Sequence, residues 1–368
     1  MTEKKINKYC LLLLAVAMQT ACSVSEDDPW QPTETDKDRV EIKLSAGGSM
    51  TRASVESDVN GLFEADGLGI FMLATDVQDI HNGAPDITWT SNDVAVPLIN
   101  IEANAQKDDV HHCTNIEWAD GGPDHYYYPF INWYRYRFFG YYPRVDDSQV
   151  QLTSTRCTVT YELDGETDVI WGQSKLGSDD SENPNYDAFN EYRYSASYFR
   201  QPGCSEKYPE LTFSHELMRM KFSIMGADAS SANIYRVERI IIMDVPQTAV
   251  LVVADLDDNS QNGSIACDWD NNLTDLDVSL TMDTQVEGTT EKNVSAEPLL
   301  LPVPDPSHHY TARVVLRNIY TSEERSKDIT ITPSSSYEKG KSYSVKLRIS
   351  GPGESPARTV IAWDDEND

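Results

Sequence analysis

Two places in this 368-residue chain hold residues whose type and spacing invite covalent chemistry. The first is Gln19-Thr20-Ala21-Cys22, small residues leading into a cysteine directly behind the apolar run Cys10 to Met18. With Lys4, Lys5 and Lys8 ahead of it, this is the layout of an export signal. The run falls far short of the ~20 residues that a membrane-spanning helix needs. In a lipobox of this kind the Cys22 thiol takes a diacylglycerol, and cleavage after Ala21 leaves it as the lipidated first residue; Gln19 fits the commonest lipobox loosely, and an ordinary signal peptidase site is the alternative. More than one acyl chain, at ~0.8 kcal/mol per buried methylene, makes a lasting anchor. The second place is the Arg52-Ala53 bond, in the polar, Gly-preceded loop Ser49-Met50-Thr51-Arg52-Ala53-Ser54. Exposed polar loops are where proteases cut, and Arg52-Ala53 suits an Arg-specific one.

Enzyme chemistry lacks a constellation here. HExxH, GxSxG and a Gly-rich phosphate loop are all absent from the sequence. His111-His112 and His308-His309 are adjacent pairs, and strand neighbours point to opposite faces, which is poor geometry for a shared metal. His215 sits beside an apolar strand and reads as a packed structural residue. The segment Asp255 to Leu276 has carboxylates enough for calcium but not the DxDxDG spacing, so it reads as a solvated loop. The aromatics from Tyr126 to Tyr142 would suit a sugar-binding platform, yet their alternation along Trp133–Phe139 fits a strand and its core. No catalytic residue, metal or cofactor is expected.

Charge narrows the partners. The chain carries 30 Lys+Arg against 60 Asp+Glu, and no basic patch that a phosphate backbone would need, so nucleic acid is excluded. Residues 1–21 hold three Lys and one Glu, so their removal takes the net charge from −30 to −32. Behind Cys22 comes the acidic run Ser23 to Asp28, which reads as a surface-export tag or as a solvated linker. The tether continues with two prolines through Asp38. Of the six cysteines, Cys113, Cys157, Cys204 and Cys267 remain after Cys10 leaves and Cys22 is lipidated. No spacing among them selects a pairing.

The elements that must position these residues read as β throughout. Val40 to Leu44 alternates apolar and polar; Gly67 to Leu73 is a buried run; Met218, Met220, Phe222 and Ile224 alternate strictly with polar partners. Val237–Met243 and Ala249–Ala254 are two further runs split by a turn at Asp244–Gln247. Ala312, Val314 and Leu316 form another. Tyr343, Val345, Leu347 and Ile349 form the cleanest alternation, and Thr359–Trp363 closes the chain. Residues 74–125 and 172–210 read as elaborate loops, and the pattern restarts at Leu211. The organisation expected is a signal at 1–21, an acidic tether at 22–38, and β-sandwich domains at 39–208 and 209–368. A cut at Arg52 would free the first strand, with Val40, Ile42 and Leu44. The loss would leave unpaired backbone and an apolar groove that another strand can fill.

Cys22, VEIKLSAG followed by MTRAS, DGLGIFML, FFGYYP, DVIWGQ, LTFSHELMRMKFSI and the ending YSVKLRIS…TVIAWDD together resemble the fimbrillin family of Gram-negative surface proteins, in the family's order and over nearly all of the mature chain. The resemblance implies two transthyretin-like β-sandwich domains in tandem and a lipid-anchored place on the cell outer membrane or in a fimbrium. It also implies assembly with other fimbrial subunits. There an Arg-specific protease removes the first strand, and a neighbour's C-terminal strand fills the groove. Arg52 matches the cut, and Tyr343–Ile349 with Thr359–Trp363 match the terminal strands. The expected function is a non-enzymatic fimbrial subunit or adhesin. The alternative is a monomeric glycan-binding surface lipoprotein that uses the Tyr126–Tyr142 aromatics.

Overall fold

A computed structural model describes residues 39–47, 61–75, 87–111, 113–119, 126–129, 134–174, 194–200, 208–228, 233–332, 336–351 and 357–362. As the alternation requires, they form strands, organised around two apolar cores.

The first core lies inside a closed sheet. Its strands are β1 (Leu44–Gly47), β2 (Ala65–Thr75), β3 (Leu98–Asp108), β4 (Cys113–Trp118) and β5 (Arg135–Tyr142), followed after an excursion by β8 (Ile170–Ser174) and β9 (Glu210–His215). Around the barrel the order is β1-β4-β3-β2-β5-β8-β9, and β1 closes the ring by pairing with β9. The excursion supplies β6 (Val150–Leu152) and β7 (Arg156–Glu162), which belong to a second, four-stranded sheet against the barrel. Being covered on both sides, β5 buries successive residues: Tyr136, Phe138, Phe139 and Tyr141 are all at 0% exposure. Phe139 meets Trp89 with centroids 5.9 Å apart, and Phe138 meets Tyr128 at 6.1 Å. A short helix, α1 (Ala196–Phe199), capped by the Ser195 hydroxyl accepting from Tyr198 N–H, lays Phe199 on Tyr128.

Two expectations change here. Residues 98–118, read as part of a loop, are β3 and β4, with Leu98, Ala103, Ala105 and Ile116 buried. Small and polar residues such as Ala103, Ala105 and Asn104 disguise the period. The strand expected at Val40–Leu44 is present but displaced: Glu41 makes one bridge to Tyr127, and the regular ladder starts at Leu44.

The second core lies between two sheets. The chain runs through β10 (Met218–Gly226), β11 (Tyr235–Pro246), β12 (Thr248–Asp255), β13 (Ile265–Cys267), β14 (Leu273–Asp277), β15 (Lys292–Asn293), β16 (Leu299–Leu301), β17 (Thr311–Asn318), β18 (Glu324–Thr330), β19 (Ser342–Ile349) and β20 (Ala357–Ala362). One sheet has the order β15-β10-β19-β20 with β16 beside β10, and the facing sheet is β14-β11-β17-β18. Met220, Phe222, Val314, Val345 and Leu347 meet between them, all fully buried.

A single cut at 209 does not separate these cores. β9 completes the barrel of the first, and β12 and β13 return to it, extending the sheet as β13-β12-β7-β6. Neighbouring runs β11 and β12 therefore do not pair with each other. The chain crosses between cores at Gln247, whose carbonyl accepts from Leu163 N–H while its own N–H donates to the Asn272 carbonyl. Trp171 ties the return strand down by donating Nε1–H to the Val253 carbonyl at 3.0 Å.

Candidate functional site: the seam closed by the first strand

Cys22, Arg52 and Ala53 lie outside the described residues, as do Phe130, Trp133, Cys204 and Trp363. What is on view is the strand that precedes Arg52 and the seam it fills. Burial alternates along it: Ile42 is 0% exposed and Leu44 3%, with Ala46 also inward, while Lys43 is exposed and Val40, Glu41 and Ser45 are half-buried. That is the period of two expected of a strand with one face on a core.

Three neighbours hold the segment. β1 runs antiparallel to β4, with Leu44 opposite Ile116, and parallel to β9, with Ser45 opposite Glu210. Upstream, Ile42 N–H donates to the Tyr126 carbonyl and Tyr128 N–H donates to the Val40 carbonyl, both at 2.9 Å. Ser45 N–H donates to the Pro209 carbonyl, and Trp118 Nε1–H to the Ile42 carbonyl at 3.3 Å. Lifting residues 40–47 would strip partners from β4 and β9 together and convert a closed ring into a sheet with two free edges. Buried N–H and C=O groups do not stay unpaired cheaply, so such a seam favours refilling by another strand.

The outer face of the same seam is a groove of about 990 Å³, lined by Lys43, Ser45, Cys113, Asn115, Trp118 and Tyr208 among others. His111 stands at its rim, with Nδ1 2.7 Å from Asp108 Oδ2. The hydrogen bonds to His111 hold the Asp108 carboxyl below its ordinary range.

The terminal-strand residues are brought together with the second core rather than with the seam. Tyr343, Val345, Leu347 and Ile349 all point into the sandwich, none more than 1% exposed. β19 lies between β10, parallel to it, and β20, antiparallel to it. Thr359 to Ala362 lie in β20.

The remaining candidates disperse. Of the aromatic run, Tyr128, Tyr136, Phe138, Phe139 and Tyr141 are buried and Tyr126, Tyr127, Tyr134 and Tyr142 half-buried, so these rings pack inward and do not form an open platform. His308 stacks on Trp269 at 5.5 Å. In the acidic segment three carboxylates are engaged by protein partners: Asp255 by Arg156, Asp258 by Ser260 and Asp268 by Asn271. Among the described residues no group of three or more His, Cys, Asp or Glu is gathered for a metal, and Cys113, Cys157 and Cys267 are free thiols. Burial pushes the Cys157 thiol far up and the Cys267 thiol up to about 12.

Two buried polar contacts were missed. His215 Nδ1 lies 2.8 Å from Asp168 Oδ2, both side chains almost wholly enclosed and without straight hydrogen-bond geometry. Beside it, Lys339 Nζ reaches Glu216 Oε2 at 2.6 Å. The only signal in the sequence was two ionisable residues, His215-Glu216, standing where an apolar run breaks.

No curated protein sequence matches the chain. Solved structures similar to it include a candidate cell adhesion protein from Bacteroides uniformis, at 13% identity and TM-score 0.48, covering 90% of this chain and 99% of that one. A fimbrial assembly protein from Parabacteroides distasonis is similar at 7% identity and TM-score 0.42, covering 88% and 99%. The fimbrial anchor protein Mfa2 from Porphyromonas gingivalis is similar at 11% and 0.34, covering 88% and 95%. The fimbrillin-like family matches directly in sequence over residues 51–363, and the chain belongs to that family.

Proposed function

We propose that this fimbrillin-like protein is a non-enzymatic subunit or adhesin of a surface fimbria, anchored to the outer membrane through lipid on Cys22. It joins its neighbours by strand exchange after the chain is cut at Arg52. The observation that carries the reading is the seam. The strand that closes the barrel, residues 44–47, is the first of the described strands and precedes Arg52, so one cut there severs it from every other strand. The incoming strand would meet β4 antiparallel and β9 parallel, with apolar residues where Ile42, Leu44 and Ala46 now sit. A strand with the alternation of Tyr343 to Ile349, or the Thr359–Trp363 segment, meets that requirement. Refilling each Ile- or Leu-sized position contributes roughly 1.5–3 kcal/mol.

The test is the intact mass of the protein recovered from the cell surface, together with mild trypsin treatment of the purified precursor. A species beginning at Ala53 that runs as high-mass ladders on an unheated gel is the expected result. A species that begins at acylated Cys22 and stays monomeric refutes strand exchange for this chain and leaves an anchor or a stand-alone binding lipoprotein.

A further inference from the structure

The start of the C-terminal strand is fastened to the joint between the two cores. Residues 336–341, which lead into β19, lie against the short passage from β9 to β10. Gly340 N–H donates to the Leu217 carbonyl and Arg219 N–H to the Lys341 carbonyl, both at 2.9 Å. The same stretch is joined to the strand it precedes, since Glu338 N–H donates to the Tyr343 hydroxyl at 2.7 Å and the Tyr337 ring meets the Tyr343 ring edge-on at 4.9 Å.

Lys339 is the charged element of this fastening. Its side chain is half in solvent, at 51% exposure, yet its ammonium ends on the carboxylate of Glu216, whose side chain is only 1% exposed. Its remaining reach is to the Gly263 carbonyl at 3.5 Å, on a loop of the first core. Gly263, at φ +73°, lies directly against the Trp171 ring, where a side chain would stand 2.3 Å away, so only glycine lets the loop approach this closely. One lysine thus spans the β9–β10 passage, a loop of the first core and the entry to β19. A cleft of about 570 Å³ between the 260–265 loop and Tyr337–Lys339 opens the pair to solvent.

We propose that Lys339 closed on Glu216 is a latch that keeps the terminal strand in its own subunit, and that mild acid opens it. The inference rests on the strand-exchange reading for its biological meaning, but the latch itself is a property of the single chain. Lys339 favours the ionised form of Glu216; opening takes that ammonium away while Glu216 stays enclosed in the β9–β10 passage, so the carboxyl holds a proton more tightly open than closed and acid favours the open state. Burial raises the Glu216 carboxyl above its ordinary value, and Lys339, Ser214 and His215 pull against that rise. The latch therefore titrates at milder acidity than an ordinary carboxylate would. Other titratable groups near the pair include Asp168, His215 and Glu338, Arg219 and Lys341 flank it through their backbone bond, and the Ser214 hydroxyl donates to Glu216 Oε1 at 3.0 Å.

Hydrogen exchange of the full chain tests this, with protection of the 342–349 amides read at about pH 7.5 and about pH 5 and corrected for the intrinsic exchange rate. In the unaltered protein that protection falls about tenfold on acidification. Lys339→Met brings it to the low level at both pH values, and Glu216→Gln makes it low and flat. Should Glu216→Gln fail to fold, Lys339→Met, at a half-exposed position, carries the test alone. Protection that is unchanged by Lys339→Met, or a pH dependence that survives Glu216→Gln, overturns the latch. Ladders after cleavage at Arg52 with no change in protection sink the latch alone. A working latch with no ladders sinks strand exchange alone.

Discussion

β1 holds its place through three register pairs on each side, while β19 has eight with β10 and six with β20. Both strands bury every second residue completely or nearly so, and both are apolar enough to serve a core. They differ in how much backbone each would have to surrender to leave. β1 lies in a ring, where its departure unpairs two neighbours at one stroke. β19 is long, lies mid-sheet, and is additionally fastened at its entry by Lys339. A strand of the first kind is suited to be removed once, by cutting the chain. A strand of the second kind is suited to stay until something better, or something chemical, displaces it.

The largest effect should come from taking the first strand away. A chain that begins at Ala53 loses the Ile42 and Leu44 side chains from the barrel, each worth roughly 1.5–3 kcal/mol, together with the ladder bonds to β4 and β9. It should associate, visible as a shift to high mass in size-exclusion chromatography, and its unfolding midpoint should fall. A truncated chain that remains monomeric and melts with the longer one would remove the distinction between the two strands.

Truncating one leucine in each strand sharpens the comparison. Leu347, fully buried mid-sheet, has well-paired backbone on both sides and little room for its surroundings to collapse, so Leu347→Ala should cost about 3–5 kcal/mol. Leu44 sits at the start of a four-residue strand that can shift, and Leu44→Ala should cost less, about 2–3 kcal/mol. Urea midpoints at constant slope give both values. Equal losses would mean that the short seam is as rigid as the sandwich.

How much of this could be read beforehand depends on how openly each strand shows its period. Tyr343–Ile349 and Met218–Ile224 face a core on one side and wear the alternation plainly. β5 hides its burial, because Phe138 and Phe139 are both enclosed, one on each face. β3 hides its very existence, because its inward positions include Ala103 and Ala105 beside a buried Asn100 whose Nδ2–H donates to the Val145 carbonyl. Domain order was the least legible. Asp244–Gln247 was readable as a turn, but nothing local says that the strand after it returns to the other core; that is decided by pairing with Arg156–Glu162, far away in the chain. The joint was invisible for the same reason, since Glu216 and Lys339 meet only in three dimensions. Cys22 and Arg52, the residues expected to be lipidated and cut, were read from local sequence and lie outside the described residues.

The smallest effect concerns the bond that holds the returning strand. Asp255, at the end of β12, accepts from Arg156 Nε at 2.8 Å and Nη2 at 2.5 Å through Oδ2, while its Oδ1 accepts from the N–H groups of Asp257 and Asp258. The Arg156 guanidinium is the main reason that this carboxyl is held below its ordinary range. A carboxyl with a lowered value in the fold adds stability that is complete above the unfolded value, about 3.9, and is lost as pH falls through the folded one. Arg156 is half-exposed, so solvent screening leaves the bond worth about 1 kcal/mol. Arg156→Met should therefore lower stability slightly at neutral pH and by less below about pH 4, the two proteins converging as Asp255 protonates. Thermal unfolding followed from neutral pH into acid measures that convergence. A gap that stays constant into strong acid would assign the loss to packing of the arginine stem and not to its charge.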